Sequence, residues 1–221
     1  MKGIFLVLFV ALVLAGCVGG GSVPPRTHYV LHDQVPAKPV EPTAPPRYAL
    51  VLTSSAADLF YDSESLVFSR EPNQRAYYQF ATWTDRPAHL VRRLAEQRLE
   101  ARGRFVSVTS LAVGVRADIV LNISLGEFYH DAAVQPSVVR VEFVGELIDW
   151  RTRSLLGHSR FSASAPVKSD DAKGAAEAFD HAVTEVLDSL VPWVETQAAK
   201  AEAASGCAGE GERDDRTDRG Q

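Results

Sequence analysis

The sequence predicts an α+β two-layer sandwich: one mostly antiparallel sheet with two helices packed on one face. Three observations carry this reading. Several segments alternate apolar and polar residues at a period of two, as half-buried strands require. They are grouped as strands, helix, strands, helix, and not in strict strand–helix alternation. The connections between the later strands are short and polar, which suits an antiparallel meander with one packed face and one wet face. With 221 residues, 46% of them hydrophobic and 23% charged, the chain has the profile of one ordinary domain with added ends. A body of about 150 residues buries roughly 68–70% of the surface its unfolded chain exposes, enough for a core without staples.

The N-terminus reads as an address. Met1 and Lys2 precede the uninterrupted apolar run Ile4 to Ala15. Such a run rises only about 18 Å as a helix, against a hydrocarbon core of about 30 Å, so it is a signal-peptide core and not a span. Leu14-Ala15-Gly16-Cys17 follows at once and resembles the bacterial lipobox, which implies removal of residues 1–16 and acylation of Cys17. Three acyl chains exceed the two signals that stable anchoring needs. Val18 stands where, in the enterobacterial pattern, an aspartate favours inner-membrane retention, so the expected location is the outer membrane. The other cysteine, Cys207, is left without a partner for an internal disulfide.

Residues 17–47 read as a lipidated, proline-rich tether. Gly19-Gly20-Gly21, Pro24-Pro25, Pro36, Pro39, Pro42 and Pro45-Pro46 bury little apolar surface. Extended, about 30 residues reach roughly 90 Å at about 3.1 Å each. Tyr29-Val30-Leu31, within His28 to Leu31, interrupts the tether and is either an edge strand docked on the domain or a loose linker segment.

The domain is expected over residues 48–200. Tyr48 to Leu52, Glu64 to Arg70 and Arg75 to Trp83 read as strands, with Asn73 turning the chain before the third. Asp85 is placed to cap a helix, with Pro87 in its first turn and Gly103 at its end. Ala88, Leu90, Val91, Leu94, Ala95 and Leu99 share one half of its wheel, opposite Arg92, Arg93, Glu96, Gln97 and Glu100. Arg98 sits inside the apolar arc; it is expected to snorkel to the rim, a buried ion pair being the alternative.

Four more strands follow, Phe105 to Ser110, Ala117 to Phe128, Ser137 to Trp150 and Leu155 to Ala165. In the third, Val139, Val141, Phe143 and Leu147 oppose Arg140, Glu142 and Glu146. Arg151 to Ser154 is the expected hairpin turn. Asp170 or Asp171 then starts a helix with one stripe, Ala176, Phe179, Val183, Val186, Leu187, Leu190 and Val194, which Pro192 should kink or end. Residues 201–221 hold six acidic residues against three arginines, a net of −3 out of the chain's −5, and read as a disordered, solvated tail.

The search for chemistry is nearly empty. The chain lacks a Gly-x-Ser-x-Gly elbow, a phosphate loop and a His-Glu-x-x-His pair. His28 and His32 share a four-residue spacing in a segment not expected to be helical, so no metal or other cofactor is expected. Glu127, His130 and Asp131 collect at a strand end and read as a solvated loop. The near-neutral domain lacks the cationic field of a nucleic-acid binder. Tyr77, Tyr78, Phe80 and Trp83 are the more informative residues. Strand alternation puts Tyr77 with Trp83 on one face and Tyr78 with Phe80 on the other.

The lipobox, Tyr29-Val30-Leu31 and Tyr78-x-x-x-x-Trp83-x-x-x-Pro87 opening an amphipathic helix together resemble the ABC-type transport auxiliary lipoproteins, the PqiC-like family, over roughly residues 14–195. The resemblance implies the architecture of a TolB N-terminal domain. It also implies a non-enzymatic periplasmic subunit accompanying an MCE-domain protein and an ABC permease and ATPase that move lipid between membranes. No catalytic residue carries over. Trp83, Tyr78, Tyr77, Tyr29 and Leu31 are the candidate partner contacts, with lipid a further ligand. The alternatives are an assembly or scaffold lipoprotein serving an outer-membrane barrel, and an envelope hydrolase.

Overall fold

In the computed structural model of the protein, the structure describes residues 24–35, 39–40, 45–110 and 116–217, with side chains to residue 203. The signal segment and Cys17 lie outside the described residues. The elements are β1 (Thr27–Tyr29), β2 (Ala49–Ala56), a 3₁₀ turn (Leu59–Tyr61), β3 (Ser65–Ser69), β4 (Ala76–Trp83), α1 (Pro87–Ala101), β5 (Ser107–Ser110), β6 (Ile119–Asp131), β7 (Val138–Asp149), β8 (Ser154–Pro166) and α2 (Ala172–Thr217).

All eight strands form one sheet, ordered β1-β4-β3-β6-β2-β5, with β7 added to β6 and β8 to β7. The long meander β6–β7–β8 is antiparallel, as expected. The sheet as a whole is mixed, because β1 runs parallel to β4 and β2 and β3 run parallel to β6, as β5 does to β2. Short polar connections fix antiparallel partners only for segments adjacent in sequence; β2, β5 and β6 are brought together through the crossover helix α1, which permits parallel pairing.

Both helices lie on the same face and share one core. Leu50, Leu52, Leu121, Ile123, Val141 and Phe143 of the sheet are buried against Leu90, Val91 and Leu99 of α1 and Phe179, Val183, Leu187, Leu190 and Val194 of α2. Along β7, Val139, Val141, Phe143 and Leu147 are buried while Arg140, Glu142 and Glu146 are half-exposed, the alternation the sequence predicts. Late in α2, Trp193 lies over Gly145 and Gly157. A Cβ on Gly157 would stand 2.9 Å from the Trp193 ring and from Gln197, so the helix packs here against sheet positions that have no room for a side chain.

The helix ends are built from local chemistry. Gly103 takes φ +64° after α1 and its N–H donates to Glu100 O at 3.1 Å. At the start of α1 the cap position belongs to Arg86 and not to Asp85. The Asp85 carboxylate accepts instead from Arg86 N at 2.7 Å and lies 3.2 Å from His89 Nδ1. Asp171 caps α2, accepting from Gly174 N at 2.7 Å, and a Cβ at Gly174 would stand 2.2 Å from Ser169 O.

The structure carries α2 further than the sequence suggests, and of the two outcomes expected at Pro192, a kink or an end, it excludes the end. The helix does not end at Pro192, since Leu190, Val191 and Val194 are buried on both sides of it and the packing outweighs one missing N–H. Its backbone continues to Thr217, through most of the segment read as disordered. The alanines, glutamates and arginines of that segment are among the stronger helix formers, although its four glycines are not.

Candidate functional site

The proline-rich segment read as a tether is half strap. Thr27, His28 and Tyr29 pair with Ala81, Thr82 and Trp83, so β1 is an edge strand of the sheet, which settles the two readings of Tyr29-Val30-Leu31. Leu31 is buried in the common core. Beyond it, His32 N donates to Asp180 Oδ1 at 2.8 Å and Gln34 N to Thr184 Oγ1 at 2.9 Å, both on α2. Asp33 reaches between the helices. It accepts from Arg98 Nε and, at 2.5 Å, from a second guanidinium nitrogen, and from Thr184 Oγ1 at 3.1 Å. Arg98 also meets Asp188 of α2. Arg98 therefore does not snorkel to the rim; an aspartate from the strap comes to it instead. Burial raises the Asp33 carboxyl, but the hydrogen bonds and charge of Arg98 outweigh it and hold the group below the usual carboxylate range.

The candidate partner contacts separate once placed. Trp83 is 0% exposed and lies edge-on to Phe128 and Phe179, with ring centroids 5.6 and 5.4 Å away, while those two rings stack at 4.2 Å. It is a core residue with no free surface, and Leu31 is likewise core. Tyr77, 44% exposed, stacks on Phe60 at 4.5 Å and donates to Phe60 O at 3.3 Å. The expected sharing of a face by Tyr77 and Trp83 fails for a local reason. Between Ser65 and Val67 the β3–β4 ladder shifts register, pairing them with Thr82 and Tyr77, so β4 bulges and its alternation is reset.

Tyr78 and Tyr29 share one neighbourhood at the start of α2. Tyr78 is hydrogen-bonded through its hydroxyl to His130 Nδ1 at 2.8 Å. Burial pushes the Tyr78 hydroxyl up to about 12, and Asp171 acts in the same direction there and on Tyr29, whose hydroxyl is also raised first by burial. Burial lowers the His130 pKa, against the pull of Asp170, whose carboxylate lies 3.9 Å from Nε2. His130 faces the helices, whereas its neighbours Glu127 and Asp131 border a cleft of about 430 Å³ together with Arg75, Tyr129 and Arg140. There Arg140 pairs with Asp131 at 2.7 Å, and Arg75 donates to the Tyr61 hydroxyl at 3.1 Å with its guanidinium 3.6 Å from the Tyr129 ring. Strand alternation thus splits the acid–base trio across the sheet. His28 and His32 are drawn to different partners, Thr82 and Asp180. Among the described residues no group of histidine, cysteine, aspartate and glutamate is arranged to hold a metal, and no helix is long and apolar enough to cross a membrane.

One surface escaped the sequence reading. The β7–β8 turn exposes Trp150 and Leu155, with the Arg153 guanidinium 4.3 Å from the Trp150 ring. The available signal was a tryptophan and a leucine flanking an arginine-bearing turn.

The site is therefore a set of surfaces on a pinned scaffold. A family model described as the ABC-type transport auxiliary lipoprotein component matches residues 29–191, from the strap to the packed half of α2. The chain belongs to this family. Membership makes it a lipoprotein, and so membrane-anchored, and auxiliary to an ABC-type transport system. A comparison with curated proteins finds no match. Among solved structures, a Xanthomonas campestris protein aligns with a TM-score of 0.68 at 22% identity, covering 80% of this chain and 99% of its own. An uncharacterized protein aligns at 0.56 and 11% identity, covering 76% and 99%. Both likenesses are of fold, which in the described residues of this chain is an α+β sandwich with a mixed eight-stranded sheet and two helices.

Proposed function

We propose that the protein is a non-enzymatic lipoprotein subunit, anchored by an acylated Cys17 to the periplasmic side of the outer membrane. In this reading it serves a system in which an MCE-domain protein and an ABC permease and ATPase move lipid between the membranes and so support envelope integrity. The observation that carries it is the family match over residues 29–191, which spans the strap, the sheet and the packed part of both helices. Two features support it. The polar groups brought together are paired structurally, as Asp131 with Arg140 and Asp33 with Arg98, instead of converging on a reacting position. The strap also shortens the tether. Only about nine residues separate Cys17 from Arg26, a reach of roughly 28 Å at about 3.1 Å each, so the domain works close to its membrane.

Crosslinking of the full-length protein in cells, followed by purification through it, tests the proposal. Recovery of an MCE-domain protein with its permease is the expected result. Recovery of an outer-membrane barrel alone overturns it in favour of the assembly reading, and turnover of lipid or envelope polymer by the purified protein overturns the non-enzymatic assignment.

A further inference from the structure

One end of the sheet is apolar and cationic at once, in a chain whose net charge is −5. The starts of β2, β5, β6 and β8 meet the end of β7 there, with Ala49 paired to Ser107, Leu50 to Ile119, Ile119 to Asp149 and Asp149 to Ser154. Val106, Trp150 and Leu155 stand 62%, 45% and 60% exposed. Arg47, Arg116 and Arg153 are exposed around them, and none forms an ion pair among the described residues. The two aspartates at this end are turned onto the backbone. Asp118 accepts from Ala49 N at 3.0 Å, and Asp149 accepts from Arg151 N at 2.8 Å and Thr152 N at 3.1 Å while also pairing with Arg151. The exposed charges described beside Trp150 and Leu155, those of Arg47, Arg116 and Arg153, are positive.

The turn itself shows an outlier. Arg153 has φ +59°, the left-handed region that glycine and asparagine occupy at least cost in a hairpin. An arginine there carries a local penalty, and its guanidinium lies on the exposed face of Trp150.

The orientation of the tip narrows what can cover it. β1 is parallel to β4, β4 antiparallel to β3 and β3 parallel to β6, so β1 runs against β6. The chain therefore enters the sheet from the end where β6 finishes, and the tip, where β6 begins, points away from the anchor.

We infer that this tip docks onto an acidic surface of a protein partner, Trp150 and Leu155 entering an apolar recess and Arg116 and Arg153 facing its carboxylates. The inference rests on the proposed function for the existence of a periplasmic partner and names the surface that meets it. Tryptophan and arginine are the residue types that most often dominate an interface, and the charge complement sets the sign of the partner surface. The anchoring bilayer is not the occupant, because the tether holds it behind the opposite end.

The test uses the full-length protein in cells with a photo-crosslinking amino acid in place of Leu155, the crosslinked peptides being mapped by mass spectrometry. One partner peptide of net negative charge is expected, recovered about tenfold less in an Arg116→Glu/Arg153→Glu background. Arg153→Gly, which relaxes the backbone while removing the cation, is expected to reduce recovery several-fold and to leave thermal unfolding unchanged or slightly raised. A crosslink to lipid, to residues 204–217 of the same chain, to a protein surface without acidic character, or one insensitive to the charge reversal overturns the inference, as does no crosslink. The identity of the protein decides the other question. A barrel captured through this tip overturns the transport reading and leaves the docking surface standing, whereas an MCE-domain protein recovered by the wild type and by both tip variants alike overturns only the docking surface.

Discussion

Asp33 and Arg98, 65 residues apart in sequence, form an ion pair in which each side chain is only 10% exposed and both carboxylate oxygens meet the guanidinium. The pair fastens a segment that composition assigns to a linker onto the groove between α1 and α2, where Asp188 and Thr184 complete the set of partners.

Replacing Arg98 with Ala should leave Asp33 buried with only the Thr184 hydroxyl and the Val35 N–H as donors. Removing one member of a buried pair typically costs about 3–5 kcal/mol. Denaturant unfolding of the variant should show a loss in that range, and hydrogen exchange should show residues 27–35 losing protection before the sheet does. Unchanged protection of the strap would mean that β1–β4 pairing alone holds it.

Stability should fall in acid in two separate windows. For His130 the folded pKa is depressed by burial, so the unfolded chain takes up a proton first; stability is lost as pH drops below about 6.5. For Asp33 the folded pKa is also depressed, here with Arg98 outweighing burial, so its contribution is present above about 3.9 and lost as pH falls through the folded value. Urea midpoints measured against pH should lose the upper slope in His130→Asn and become shallower in the lower window in Asp33→Asn, where Asp85, Asp149 and Asp171, also held below the usual carboxylate range, keep part of the slope. A slope unchanged in its own variant removes that group from the account.

Phe179→Ala and Trp83→Ala should each cost about 3–5 kcal/mol, because both rings sit in the fully buried contact with Phe128. Removing residues 204–221 should be nearly silent in the same assay, since among the described side chains, which run to residue 203, the core cluster reaches no further along α2 than Ala198. A truncation as costly as Phe179→Ala would place a structural contact in the removed segment.

Intact-mass analysis of protein extracted from membranes should show loss of residues 1–16 and added acyl mass on Cys17. Cys17→Ala should remain unprocessed or be released. A variant that is processed and membrane-bound as before would assign anchoring elsewhere.

The parts legible in the sequence were those set by local periodicity. The strands from β2 to β8 and the start of both helices follow from alternation, from Pro87 and Gly103 around α1, and from Asp171 before α2, all within a few residues of one another. The strap was only half legible. Tyr29 and Leu31 gave a faint apolar signal among prolines, but the partner that holds Asp33 lies on α1, and no local pattern encodes a contact at that separation. Arg98 inside an apolar arc was the visible half of the pair. The separation of Trp83 from Tyr77 is not legible in the sequence, because a bulge in β4 resets the alternation after Tyr77 and bulges leave no periodic trace. The tip was missed because Trp150 stands at a strand end, where the two-residue period no longer says which side faces water.

The strap also gives the molecule a direction in which it can be pulled. Force arriving through the chain at Pro24 runs along β1, so the β1–β4 hydrogen bonds and the Asp33 clamp share the load together instead of opening one after another. From Arg98 the load passes into α1 and through Asp188 into α2, the two rods packed across the sheet. With the chain anchored through Cys17 as proposed, a pull between anchor and tip runs lengthwise through the strap and both helices.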